Sequence, residues 1–320
     1  MNPRYSIVIP VYNSGRWLAD LVAQVERAMD TLGESYELVL VNDCSPDGTT
    51  WLEIERLAAQ DPRVRGIDLL FNVGQFRATF CGLEQARGDF ILTMDDDFQH
   101  PPEELPNLAR AISGRPEIDC VFARYEAKRH RWFRNAGTRL IYKLLGWIYG
   151  KPRDIETSSY RAMKASLART LVQYRLAYPQ MGPMILSVTK RLANVTVRHQ
   201  PRKVGKSGYT MGRLIGETVR SITNVSVAPL RFISLIGFTV ALGSFLLAIL
   251  FFIQFLTGAI RQPGFATIVL LISFFSGMIL LGIGVLGEYI GRIIREISGP
   301  PRYTVRARVG SGADAAKEPG

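Results

Sequence analysis

Cysteine and histidine are scarce in this chain, three of each among 320 residues, and that scarcity removes several functions at once. Cys44, Cys81 and Cys120 are odd in number and widely spaced, which excludes a disulfide framework or a paired-cysteine zinc site and suits reduced thiols. His100, His130 and His199 are dispersed, so no histidine pair at metal-ligand spacing stands out and none is given catalytic work. No Gly-x-Gly-x-x-Gly follows a strand-like run, and Gly205-Lys206-Ser207 has Gln200 where a P-loop needs its first glycine. A dinucleotide oxidoreductase and a P-loop NTPase are thereby excluded. No signal peptide is expected either, since the apolar run Tyr5–Val11 is too short for an h-region and meets polar Asn13-Ser14.

Charge is absent from two long runs, Phe232 to Thr257 and Phe265 to Gly287. Each exceeds the roughly 20 residues that a helix needs to cross the hydrocarbon layer. The short link Gly258 to Gly264 between them predicts an antiparallel hairpin. Arg213, Arg220 and Arg231 precede it and Arg292, Arg295, Arg302, Arg306 and Arg308 follow it, so positive-inside bias predicts that both flanks are cytoplasmic. The expected organisation is a cytoplasmic domain over 1–211, an interfacial helix over 212–230, a transmembrane hairpin over 231–290 and a basic cytoplasmic tail over 291–320, disordered from Gly310. Two such spans predict a multi-pass membrane protein. The net charge of +11 then reads as attraction to anionic lipid head groups or phosphorylated substrates, with no nucleic acid as partner.

What the N-terminal part does contain is alternation. Apolar, β-branched runs occur at Tyr5–Val11, Tyr36–Asn42, Val64–Leu69, Phe90–Met94 and Ile118–Phe122, and segments with helical apolar stripes lie between them at 17–32, 49–59, 74–87 and 102–112. Such alternation predicts an α/β fold with a Rossmann-like, mostly parallel sheet. Ligands of such sheets bind at the carboxyl ends of the strands. The unusual residues fall there: Pro10-Val11-Tyr12-Asn13, Asn42-Asp43, Asn72-Val73-Gly74-Gln75 and Asp95-Asp96-Asp97-Phe98-Gln99. Beyond Ile155 the pattern weakens, and 163–198 reads only as mixed helix and strand.

Three carboxylates directly after a buried strand repel one another unless a cation offsets them. If the segment is extended, Asp95 and Asp97 share a face and Asp96 points away. With Gln99 two residues on, the donor set suits Mg2+ or Mn2+, held by one or two carboxylates plus substrate phosphates. Asp43 admits two readings, a nucleotide acceptor or an ordinary turn aspartate in Asp-Cys-Ser-Pro-Asp-Gly. The basic, aromatic-bearing run from Arg124 to Arg134 suits a clamp for diphosphate or lipid phosphate as well as it suits a solvated face.

Together, Ser6 to Asn13, Asn42-Asp43, Asn72 to Gln75 and Met94 to Glu103 resemble family 2 glycosyltransferases of the GT-A fold. Ala228-Pro229-Leu230-Arg231, Leu286 to Arg292 and Pro301-Arg302-Tyr303 are similar to the polyprenyl-phosphate subgroup. Within it the likeness is closest to the two-helix bactoprenol glucosyltransferases and undecaprenyl-phosphate aminoarabinose transferases, and more distant to dolichyl-phosphate mannose synthase. The resemblance implies metal-dependent, inverting transfer of a sugar from a nucleotide-diphosphate sugar, with uridine favoured, to a polyprenyl phosphate at the bilayer surface. It implies that Pro10, Tyr12, Asn13, Asp43, Gln75, Asp95 and Asp96 bind the nucleotide donor and that Asp95, Asp97 and Gln99 approach the metal. It further implies that Arg124, Arg131, Arg134, Arg202 and Ser207 meet diphosphate or lipid phosphate. Asp97, Asp154 and Arg161 act in catalysis by the same likeness, and the assembly is a homo-oligomer such as a tetramer. Three positions depart from the family pattern: Ser14 stands where an acidic residue is usual, Asp96 where a small one is, and Gly208 where a lysine is. A processive polysaccharide synthase of the same fold is the rival, but its Gln-x-x-Arg-Trp signature would need Gln where Lys128 stands. A non-catalytic membrane scaffold is the rival from outside enzymology.

Overall fold

The computed structural model describes residues 2–125, 154–174, 181–198, 264–298 and 301–310, together with isolated positions between 235 and 257. Tyr5–Val11 (β1), Tyr36–Asn42 (β2) and Val64–Leu69 (β3) are buried along their whole length, as strands covered on both faces are. Between them, Leu18–Asp30 (α1) and Thr50–Gln60 (α2) bury one apolar stripe each, with Leu18, Leu21, Val22 and Val25 in α1 and Ile54 and Leu57 in α2. Gln75–Gln85 (α3), Phe90–Thr93 (β4) and Leu105–Ser113 (α4) complete the first half. The segment that the sequence pattern does not place resolves into Arg161–Lys164 (β6), Ala165–Gln173 (α5), Met181–Val188 (α6) and Leu192–Val197 (β7), following Cys120–Tyr125 (β5).

The strands form one sheet in the order β7-β5-β6-β4-β1-β2-β3, with Val305–Val309 (β8) at the far edge beside β3. Among the described residues the sheet is mixed, with four parallel pairings and three antiparallel ones. β1–β2, β2–β3, β1–β4 and β5–β7 are parallel, but β6 runs antiparallel to both β4 and β5, and β8 antiparallel to β3. The chain moves outward from β1 to β2 and β3, then returns to lay β4 on the other side of β1. That reversal makes the β1/β4 boundary a topological switch point, where a crevice opens at the carboxyl ends. Pro10 belongs to this geometry. It sits in β1 opposite Val41, beyond Val8, the last β1 residue paired with β4. A residue without an N–H is tolerated there because the second ladder has ended.

Phe265–Ser298 (α7) is a separate element of 34 residues. At 1.5 Å per residue it is about 50 Å long, and its window Phe274–Gly291 has mean hydropathy 1.6 with none of it buried. It is long and apolar enough to cross a membrane. The helix continues past Gly287, where the expected span ended, to Ser298. The other expected span, 232–257, is described only at isolated helical positions, among them exposed Leu235, Leu246 and Ile253. The interfacial helix expected over 212–230 lies outside the described residues.

Within the expected basic tail, 301–310 is folded onto the α/β unit. Leu70 N–H donates to Thr304 O at 2.8 Å, and Arg306 Nε donates to Asp68 Oδ2 at 2.6 Å. Asp68 is 1% exposed, and its other oxygen accepts from Asn42 Nδ2 at 2.7 Å. β8 thereby covers an edge that would otherwise be open to pairing with another chain. Arg306→Ala leaves a buried carboxylate short of a partner, and the expected cost is about 1–3 kcal/mol. A thermal melt of the detergent-solubilised chain reads it as a Tm roughly 2–10 °C lower; an unchanged Tm contradicts the role given to this pair.

Candidate active site

Four strand-end segments meet at the β1/β4 switch point and are laced together by side chains. β1 runs into Tyr12 and Asn13, both exposed, and then into fully buried Ser14. Asn13 N–H donates to Ser45 Oγ at 3.0 Å, and Ser14 N–H to Thr50 Oγ1 at 2.9 Å, which tie the β1 end to the β2 end. Asp43, 3% exposed, accepts Val73 N–H at 2.7 Å on one oxygen and Gly74 N–H at 2.9 Å on the other, which ties β2 to β3. Burial raises its carboxyl above the usual range, and the two amides pull it back. Both readings of Asp43 therefore keep a footing: it organises a turn, and it does so at the rim. Gly74 has φ +85°, a conformation natural to glycine, and this lets its amide aim at Asp43 just before α3 begins.

Among the described residues, non-glycine residues with positive φ occur at three positions: Asn13, Cys44 and Phe98. All three lie in these strand-end segments. Left-handed backbone in L-residues carries strain, and such strain concentrates where a chain positions functional groups.

The acidic cluster follows β4, which ends at Thr93. The segment is bent and not extended, so the pleat argument for the three aspartates needs correction. Asp97 Oδ1 accepts Gln99 N–H at 3.1 Å, an aspartate turn around left-handed Phe98. Asp96 and Asp95 face different partners from this bend. Asp96 turns to the β1 segment, where its Oδ2 accepts Tyr12 N–H at 3.1 Å and the Ser14 hydroxyl, while Trp17 Nε1–H donates to its carbonyl at 2.8 Å. Burial pushes the Asp96 carboxyl up to about 6 against those bonds, with Asp95 adding to the rise. Asp95 turns to the opposite side. Its Oδ1 accepts from Gln75 Nε2 and its Oδ2 from Ser159 Oγ at 3.0 Å. Asp95 and Asp97 both act on His100, whose pKa is lowered by burial and raised by these two charges.

Asp95, Asp97 and Gln99 lie on one bent segment at the end of β4 and carry hard oxygen donors. Among the described residues no three His, Cys, Asp or Glu side chains close into a metal cage. An incomplete carboxylate set of this kind fits a Mg2+ or Mn2+ ion that takes its remaining ligands from substrate phosphates and water.

The remaining predicted residues divide. Arg124 Nη2 donates to the carbonyl of Asp154 at 2.8 Å, so these two are brought together, and Arg124 Nε lies 3.3 Å from Glu156. Arg161 lies beneath the rim, 3% exposed. Its Nε is 3.3 Å from Thr93 Oγ1 and from Ser159 O, and burial lowers its pKa to about 10. Its buried charge acts on Asp95 of the acidic cluster. Arg131, Arg134, Arg202 and Ser207 lie outside the described residues. Sequence reasoning assigned no role to Trp17, Ser45, His100 or Ser159, marked Ser14 only as a departure from the family pattern and placed Asn72 only at a strand end. For His100 a signal existed, since it closes the same short segment as the aspartates.

Comparison with known proteins agrees with this geometry. The family model "Glycosyl transferase family 2" matches residues 6–171. The chain is 33% identical over 305 residues to an undecaprenyl-phosphate 4-deoxy-4-formamido-L-arabinose transferase from Edwardsiella ictaluri (strain 93-146), covering 94% of this chain and 93% of the relative. Among solved structures it resembles glucosyl-3-phosphoglycerate synthase from Mycobacterium tuberculosis in complex with Mn2+, uridine diphosphate and phosphoglyceric acid. The TM-score is 0.52 at 18% identity, over 70% of this chain and 77% of that one. The same synthase with uridine diphosphate alone gives 0.51 at 17% identity, over 70% and 79%. The fold is shared with these glycosyltransferases, and the chain belongs to glycosyl transferase family 2.

Proposed function

We propose that this glycosyltransferase moves a sugar from a uridine-diphosphate sugar to undecaprenyl phosphate at the cytoplasmic face of a bacterial inner membrane, with inversion at the anomeric carbon. The observation that carries the proposal is the match to an undecaprenyl-phosphate transferase over 94% of this chain, which is not confined to residues 6–171 of the family model. On this reading 1–211 is the transferase domain, 212–230 lies at the interface, 231–290 forms a membrane hairpin and 291–320 returns to the cytoplasm. The assembly is a homo-oligomer.

Asp95, Asp97 and Gln99 would hold Mg2+ or Mn2+, which supplies Lewis-acid stabilisation of the departing diphosphate. Pro10, Tyr12, Asn13 and Asp43 would bound the nucleoside side of the crevice, with Gln75 and Asp96 supporting its floor. Asp154, exposed beside Arg124, would face the sugar. Arg124, with Arg131, Arg134, Arg202 and Ser207 by family likeness, would meet the phosphates. The acceptor phosphate is already anionic, since a phosphate monoester's second pKa is about 6. Its oxygen attacks the anomeric carbon as the bond to the diphosphate breaks, and no strong general base is required.

The test supplies the detergent-solubilised full chain with undecaprenyl phosphate, Mn2+ and a panel of radiolabelled UDP-sugars that includes UDP-4-deoxy-4-formamido-L-arabinose. Label is expected in an organic-extractable lipid and is lost with EDTA. Label in an insoluble polymer would favour the processive synthase, and no transfer from any donor would favour the scaffold.

A further inference from the structure

We propose that His100 and Ser159 are positioning residues that hold Asp95 from two sides, fixing its backbone and its carboxylate in one orientation. The inference rests on the reading of Asp95 as a cation ligand and deepens it.

The bend at Asp97-Phe98-Gln99 folds the His100 ring back under the start of the cluster. Nδ1 then lies 2.8 Å from the backbone N–H of Asp95. An amide N–H only donates, so Nδ1 is an acceptor and the neutral ring carries its proton on Nε2. Nε2 is 3.3 Å from Ser159 Oγ, and Ser159 Oγ is 3.0 Å from Asp95 Oδ2. A hydroxyl has a single proton. The carboxylate accepts it, so Ser159 takes the His100 proton on its own lone pair. The directions are therefore fixed. Asp95 N–H donates to His100 Nδ1, His100 Nε2–H to Ser159 Oγ, and Ser159 O–H to Asp95 Oδ2. The circuit begins at the amide of Asp95 and ends on the carboxylate of the same residue.

The circuit is itself pinned. The His100 ring stacks on Tyr160 at 4.9 Å with planes 9° apart, and Tyr125 lies near-parallel to it at 6.4 Å. The Tyr160 hydroxyl donates to Pro101 O at 2.8 Å. The Ser159 carbonyl accepts from Thr93 Oγ1 at 2.7 Å and from buried Arg161, which fastens Ser159 to β4 and β6. At 5% exposure His100 is out of reach of a substrate, so it acts through Asp95. Hydrogen bonds that orient a ligating carboxylate typically govern metal affinity by about 10–100-fold.

The test measures free Mn2+ by EPR in titrations of the full-length protein with Mn2+ and UDP, alongside thermal melts. Ser159→Ala removes the link. His100→Asn keeps an acceptor near the position of Nδ1 but loses the donor. Each is expected to raise the apparent Mn2+ Kd by about 10-fold or more with Tm little changed, and the double variant is expected to be no weaker than the worse single. Asp95→Asn is the control. If it weakens Mn2+ binding while folded Ser159→Ala and His100→Asn bind as wild type, the positioning role is overturned. If Asp95→Asn itself leaves Mn2+ binding unchanged, the ligand reading falls, and the positioning role falls with it. Should His100→Asn not fold, Ser159→Ala decides alone.

Discussion

Asp97→Asn is expected to lower kcat for lipid glycosylation by about 100- to 1,000-fold, the size of effect seen when one preorganised electrostatic contact to a developing charge is removed. The substitution separates charge from architecture. Asp97 Oδ1 accepts Gln99 N–H, and the amide oxygen of asparagine accepts the same bond, so the bend around Phe98 survives. What disappears is a negative charge on the same bent segment as Asp95, and with it an anionic ligand for a divalent ion. The measurement is initial rate against Mn2+ concentration in the radiolabel assay, with circular dichroism and Tm as controls for folding. Partial rescue at high Mn2+ would locate the loss in cation binding. Wild-type kcat in the folded variant would remove Asp97 from the metal site.

The first half of the fold was legible in the sequence because β1, β2 and β3 are buried on both faces. Such strands read as unbroken apolar runs, and the helices between them carry periodic stripes. The second half was not. β6 is four residues long and owes its place to β4 and β5, not to its own composition, while α5 and α6 are short. β8 was hidden for a different reason. Its Val-Arg-Ala-Arg-Val alternation reads as a charged tail until Asp68, 238 positions earlier, is seen to be a buried partner for Arg306. Buried charge misleads in the same way elsewhere: Glu37 and Arg65 look like solvent-facing strand residues but pair at 2.9 Å in the interior. Within the site, Tyr12, Asn13, Asp43 and the aspartates were visible because strand ends concentrate ligands. Ser159 was not, and Ser14 stood out only as a departure with no role, since an uncharged hydroxyl shows its partner only when the chain brings it to a carboxylate 64 or 82 positions away.

Ser14 and Asp96, two of the positions noted as departures from the family pattern, touch each other, and the burial of Asp96 at that contact predicts a pH dependence. Burial raises the Asp96 carboxyl from 3.8 to about 6 in the folded chain, against the bonds from Ser14 and Tyr12. The folded state then binds the proton more tightly than the unfolded state, so stability in EDTA falls as pH rises from about 4 to about 6 and levels off above. Each tenfold difference in proton affinity between the two states is worth about 1.4 kcal/mol, so the loss reaches up to about 3 kcal/mol. Asp96→Asn keeps an acceptor for Ser14 and for the Tyr12 amide, leaves the backbone carbonyl for Trp17, and has nothing to ionise. Its Tm is expected to exceed that of the wild type at pH 7.5 and to match it at pH 4; equal values at both would show that the carboxylate ionises in the fold without penalty. The same contact explains why the two departures occur together. An acidic side chain at position 14 would face the Asp96 carboxylate across a hydrogen-bond distance, and a hydroxyl there donates to it instead. Ser14→Glu is therefore expected to lower Tm sharply, and Asp96→Ala to recover much of the loss in that background, because the site holds one carboxylate and not two. Additive losses in the double variant would show that positions 14 and 96 are independent.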